Sequence, residues 1–69
     1  VPNGLYIDLL NQDTFFFLLQ DPHRIESLIP KGFTNWIIID EVQKIPALLD
    51  EVHRLIEQFR YKFILTGSS

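Results

Sequence analysis

The 69-residue sequence predicts an α/β fold, a three-stranded parallel sheet joined by crossover helices. Three observations carry that expectation. Trp36-Ile37-Ile38-Ile39-Asp40 is a short β-branched run with no polar face, as in a strand covered on both sides. Leu48, Leu49, Val52, Leu55, Ile56 and Phe59 recur at spacings of three and four, the stripe of an amphipathic helix. Further strand-like runs stand on either side of these two segments, so strands and helices alternate, which is the pattern of two crossover units.

In order along the chain, Val1 to Gly4 reads as a turn, since Pro2, Asn3 and Gly4 all favour one. Leu5 to Leu10 is the first predicted strand, ended by Asn11-Gln12-Asp13. Asp13 or Thr14 is placed to cap a helix over Phe15 to Gln20, although Phe15-Phe16-Phe17 has strand propensity as well. Asp21-Pro22 starts a second helix toward Leu28, with the missing N–H of proline harmless at the first helical position. Pro30 ends it, and Gly32 is free to take positive φ. Trp36 to Asp40 is the second strand. The chain turns at Ile45-Pro46 after Glu41 to Lys44, a helix runs from Pro46 to Phe59, and Tyr61 to Thr66 forms the third strand. On that helix, Asp50 and Arg54 are four residues apart in the favourable orientation.

Strands that neighbour one another in chain order place both right-handed crossovers on one face of the sheet. The other face is then bare. The isoleucine run is apolar to both sides, so something outside these residues is expected to cover it. Together with a start at Val1, the lack of methionine and an end at Thr66-Gly67-Ser68-Ser69 directly after a strand, this reads as an excerpt from a longer protein.

Composition narrows the function classes. A net charge of −3, with six Lys and Arg scattered from Arg24 to Lys62, gives no electrostatic footprint for nucleic acid. No cysteine is available for a disulfide or a thiolate metal site. The longest apolar run, Phe15 to Leu19, is too short to span a bilayer, and the expected location is cytoplasmic. His23 and His53 lie on separate predicted helices without a further ligand at metal spacing and read as surface residues. Trp36 reads as core, Phe15 to Leu19 as core with a partner surface as the alternative, and Gln43 as a solvated loop residue with a contact to nucleotide or a neighbouring subunit as the alternative.

The chemistry concentrates at Asp40 and Glu41. A parallel strand ends in the crevice where open α/β sheets bind ligands. A carboxylate there suits magnesium, a hard ion that keeps several waters and takes one or two carboxylates plus substrate phosphates. Its neighbour is placed to orient a water or accept its proton. If the second and third strands pair in parallel, Thr66 and Ser68 bring hydroxyls to the same rim, and Gly67 permits close backbone approach. Two acids after a strand and a Gly-Ser-Ser turn also have a plain reading as soluble loops.

The residues Trp36-Ile-Ile-Ile-Asp40-Glu41-Val42-Gln43-Lys44-Ile45-Pro46, followed by Phe63-Ile-Leu-Thr-Gly-Ser68-Ser69, resemble the Walker B and sensor 1 segments of a group of prokaryotic AAA-type P-loop ATPases, many of which carry a C-terminal domain of uncharacterised function. Leu5 to Leu10 and Asp21-Pro22 fit the same pattern, so the resemblance covers residues 1–69. It implies a partial P-loop NTPase fold, these strands being the second, third and fourth of a five-stranded core. It implies that Asp40 is the magnesium ligand, Glu41 the catalytic glutamate, and Ser68 or Thr66 the sensor 1 residue. Mg2+ and ATP are the implied cofactors of the full-length parent. ATP, the remainder of the ATPase domain and further copies in a homo-oligomer are the implied partners. The family's phosphate-binding loop, Gly-x-x-x-x-Gly-Lys-[Ser/Thr], has no counterpart around Gly4, Gly32 or Gly67, so these residues alone are expected neither to bind ATP tightly nor to turn it over. The rival expectation is a small non-catalytic interaction module that docks through an exposed apolar sheet face.

Overall fold

The computed structural model describes residues 1–68; Ser69, the last residue of the predicted polar rim, lies outside them. Three strands, β1 (Leu5–Asp8), β2 (Trp36–Asp40) and β3 (Lys62–Leu65), form one parallel sheet in the order β1-β2-β3. Two α-helices, α1 (Gln12–Gln20) and α2 (Leu48–Phe59), and two 3₁₀ segments, Pro22–Leu28 and Val42–Lys44, make the connections. The strand order is the one expected of sequential neighbours.

Register explains which side chains meet. Leu5 and Ile7 stand beside Ile37 and Ile39, and these beside Phe63 and Leu65, so all six share one face. Ile7, Ile37 and Ile39 are buried there with Leu18 of α1, Ile25 of the first 3₁₀ segment, and Leu48, Val52 and Leu55 of α2. Both crossovers therefore cover the same face. Each fully buried Leu or Ile is worth about 1.5–3 kcal/mol relative to exposure, which makes this cluster the main source of stability in so short a chain.

The opposite face carries Tyr6, Asp8, Trp36, Ile38, Asp40, Lys62 and Ile64. Ile38 is buried between Tyr6 and Ile64 and under the Val1–Gly4 turn, where the Gly4 backbone comes close to its Cδ1. Tyr6 remains 61% exposed and Trp36 37% exposed. Trp36 is thus a surface residue on this side, with the Lys62 ammonium 5.2 Å from its ring, and not the core residue its place in the run predicts.

Several boundaries differ from expectation for local reasons. β1 stops at Asp8 because the Asp8 carboxylate accepts a bond from the Leu10 N–H at 2.9 Å and turns the chain. The cap of α1 is Asn11, whose Oδ1 accepts from the Thr14 N–H at 3.1 Å, so the helix starts before Phe15 and takes in Asp13 and Thr14. Asp21 caps the next segment as expected, through the His23 N–H at 3.1 Å, but seven residues wind as 3₁₀ helix. α2 begins at Leu48, since the Leu48 and Leu49 N–H groups close turns onto Ile45 and Pro46. Gly32 takes φ 74°, as its place after Pro30 requires.

Arg54 does not pair with Asp50. Its guanidinium lies 3.0 Å from Glu51 on its own helix and 2.9 Å from Glu26, tying α2 to the Pro22–Leu28 segment. Among the described residues no helix is long and apolar enough to cross a membrane.

Candidate functional site

Alternation along β2 decides where its carboxylate goes. Ile37 and Ile39 point to the helices, so Asp40 shares the opposite face with Ile38 and stands in register beside Asp8. The next residue ends the strand abruptly. Glu41 adopts the left-handed conformation at φ 61° and ψ 43° and leads into the 3₁₀ turn Val42–Lys44. A non-glycine residue there costs roughly 1–2 kcal/mol, so the surrounding bonds must hold it.

Those bonds come from the end of β3. The Thr66 N–H donates to the Ile39 carbonyl and the Val42 N–H to the Thr66 carbonyl, each at 3.0 Å, while the Lys44 N–H closes onto the Glu41 carbonyl at 3.1 Å. Thr66 is therefore clamped against the strand end. Its hydroxyl donates to Asp40 Oδ1 at 2.6 Å. The Gln43 carboxamide donates to Glu41 Oε1, also at 2.6 Å. Ser68, two residues beyond Thr66, is exposed, and its hydroxyl has no hydrogen bond among the described residues. Of the two hydroxyls expected beside Asp40, it is thus Thr66 that reaches the carboxylate.

Asp40 and Glu41 are both partly buried, and Asp8 is exposed. Among the described residues, no Lys or Arg forms an ion pair with any of the three. One rim thus concentrates negative charge with no protein cation against it. Asp40 Oδ2 and Glu41 Oε2 receive no hydrogen bond among the described residues, which leaves one oxygen on each carboxylate available. A single anchored carboxylate with a free oxygen suits a magnesium ion that keeps its waters and completes its shell with phosphate oxygens. The donor set fits that ion. Among the described residues no group of three or more His, Asp or Glu side chains is placed to hold a metal ion, so protein ligands alone do not form a cage here.

Gln43 is exposed, as expected of a solvated loop residue; its bond to Glu41 follows from a backbone turn that no residue pattern announces. His23 and His53 are surface residues, as expected; His23 lies 3.1 Å from Glu51 and His53 3.5 Å from Glu57. A cleft of about 530 Å³ between the Pro22–Leu28 segment and the end of α2, lined by Arg24, Ser27, Lys31, Phe59 and Tyr61, shares no residue with the acidic rim.

A protein-family model described as AAA domain matches residues 2–69. No curated protein and no solved structure matches the chain.

Proposed function

The chain belongs to the AAA domain family, and on that premise we propose that it supplies the magnesium-binding and water-activating half of an ATP-hydrolysing site. The finer placement is that Asp40-Glu41 is the Walker B pair and Thr66 to Ser68 the sensor 1 segment of a prokaryotic AAA-type P-loop ATPase. The observation that carries the reading is the 2.6 Å bond from the Thr66 hydroxyl to Asp40, which joins the ends of β2 and β3 at the charged rim.

In this reading Asp40 would hold magnesium. The ion, when bound, neutralises charge on the β- and γ-phosphates. Glu41 orients a water in line with the γ-phosphorus and takes its proton as the new P–O bond forms. The bond from phosphorus to the bridging oxygen breaks, and ADP leaves with that electron pair. Thr66 keeps Asp40 in place, and Ser68 or Thr66 would be the polar residue that senses the γ-phosphate. The remainder of the ATPase domain supplies the phosphate-binding loop, and further copies in a homo-oligomer complete the assembly. A cytoplasmic location is part of the same proposal.

The test is ATP turnover by the intact protein with Glu41→Gln and Asp40→Ala. Glu41→Gln is expected to retain MgATP while losing roughly 10²–10⁴-fold in kcat, the contribution of a positioned general base. Asp40→Ala is expected to raise the magnesium concentration needed for activity. Wild-type turnover in both variants refutes the proposal. The exposed Tyr6 and Trp36 on the second face support the rival reading, a non-catalytic docking module, which that result would favour.

A further inference from the structure

We infer that Gln43 is a positioning residue for the Glu41 carboxylate, and that a side chain at residue 67 would displace the Gln43 carboxamide. This rests on the reading of Glu41 as the water-activating group.

Glu41 has three rotatable side-chain bonds, and its carboxylate accepts one hydrogen bond among the described residues, the one from Gln43 Nε2 at 2.6 Å. That bond fixes Oε1 and leaves Oε2 as the oxygen that meets water. A carboxylate held at one oxygen loses most of its rotameric freedom, and small errors in the placement of a reacting group are costly in rate. Gln43 itself reaches Glu41 because the left-handed backbone at residue 41 and the short 3₁₀ turn fold residue 43 back over the strand end.

Gly67 supplies the other half of the argument. It does not adopt positive φ, so its backbone conformation does not demand glycine. A Cβ built at residue 67 collides with the Gln43 carboxamide oxygen and comes within 3.0 Å of its Cδ. The Gln43 side chain therefore lies across the end of β3 with its oxygen toward Gly67 and its nitrogen on Glu41. A methyl group at residue 67 makes the flexible Gln43 carboxamide shift, and that shift is expected to weaken its bond to Glu41.

The test measures kcat and KM for MgATP in the intact protein for Gln43→Ala, Gly67→Ala and the double variant, with thermal unfolding alongside. Gln43→Ala is expected to lower kcat roughly tenfold, in the range seen when the group orienting a catalytic side chain is removed, with KM changed by less than about twofold. Gly67→Ala is expected to do the same. The double variant is expected to be no worse than either single one, because both remove one contact. In the Glu41→Gln background Gln43→Ala is expected to have no further effect. Wild-type kcat in Gln43→Ala, losses that multiply in the double variant, or loss of kcat only in step with lowered unfolding temperature overturns the inference while leaving the role of Glu41 intact. Wild-type turnover in Glu41→Gln alone overturns both.

Discussion

Replacing Glu41 by glycine is expected to leave the intact protein more stable than replacing it by alanine, although the two changes remove the same carboxylate. The residue sits at φ 61° and ψ 43°, where a Cβ crowds the following carbonyl. That crowding costs roughly 1–2 kcal/mol and is absent in glycine. Glycine also makes the unfolded chain more flexible, which offsets about 0.4–1 kcal/mol. The net advantage of glycine is therefore about 0.5–1 kcal/mol, the reverse of the order at an ordinary strand or helix position. Urea unfolding of the two variants reads the difference as a shift in midpoint, and thermal unfolding as a shift of the same sign. Arg60, at φ 61° behind α2, is the internal control, because the same order is expected there without loss of turnover. Alanine equal to or better than glycine at residue 41 would show that the left-handed turn relaxes when the glutamate is gone, and the account of a backbone strained by the grip of β3 would fail.

Other consequences are equally direct. Thr66→Val removes the hydroxyl bonded to Asp40; a bond to a charged group at a solvated rim is worth about 1.5 kcal/mol, so magnesium for half-maximal turnover is expected to rise roughly tenfold, with Thr66→Ser near wild type. Leu55→Ala empties a site with no exposed surface and is expected to cost about 3 kcal/mol by urea unfolding, against less than about 1 kcal/mol for Ile56→Ala one residue along, which is 40% exposed. Arg54→Ala is expected to lower hydrogen-exchange protection over residues 22–28, more at low salt than at high, because it cuts the tie from α2 to Glu26. Hydrogen bonds to Glu26 and then Glu51 raise the Arg54 guanidinium above its ordinary range. A raised value means that its contribution is complete below the unfolded-state pKa and is lost only as pH rises through the folded one. The stability gap between wild type and Arg54→Ala is therefore not expected to be altered by titration of Arg54 between about pH 7 and 10.

Much of this arrangement is written in local pattern. The run Trp36 to Asp40 gives β2 its bounds, because three isoleucines force a strand and the acid ends it. The stripe of α2 is legible too, although only Leu48, Val52 and Leu55 are buried, while Leu49, Ile56 and Phe59 face outward in part. The sheet order followed from assuming that sequential strands are neighbours. Contacts between elements were not legible. Arg54 chose Glu26, 28 residues away in sequence, together with Glu51, over the local Asp50, because the packing of α2 on the Pro22–Leu28 segment brings that carboxylate to it. The distinction between Thr66 and Ser68 depends on how far the β3 ladder runs past Leu65, which hydrogen bonding to Ile39 decides. Glu41 carries no mark of its left-handed backbone in the sequence, since glutamate is not a residue that favours it. Trp36 misled because an apolar residue in a buried run can still fall on the open face of the sheet.

The most direct test of the acidic rim as a hydrolysis site is a single turnover of prebound MgATP in the intact protein, comparing wild type with Glu41→Gln. The account predicts that both retain nucleotide and that only wild type releases phosphate at an appreciable rate. Phosphate release by Glu41→Gln at the wild-type rate would contradict it.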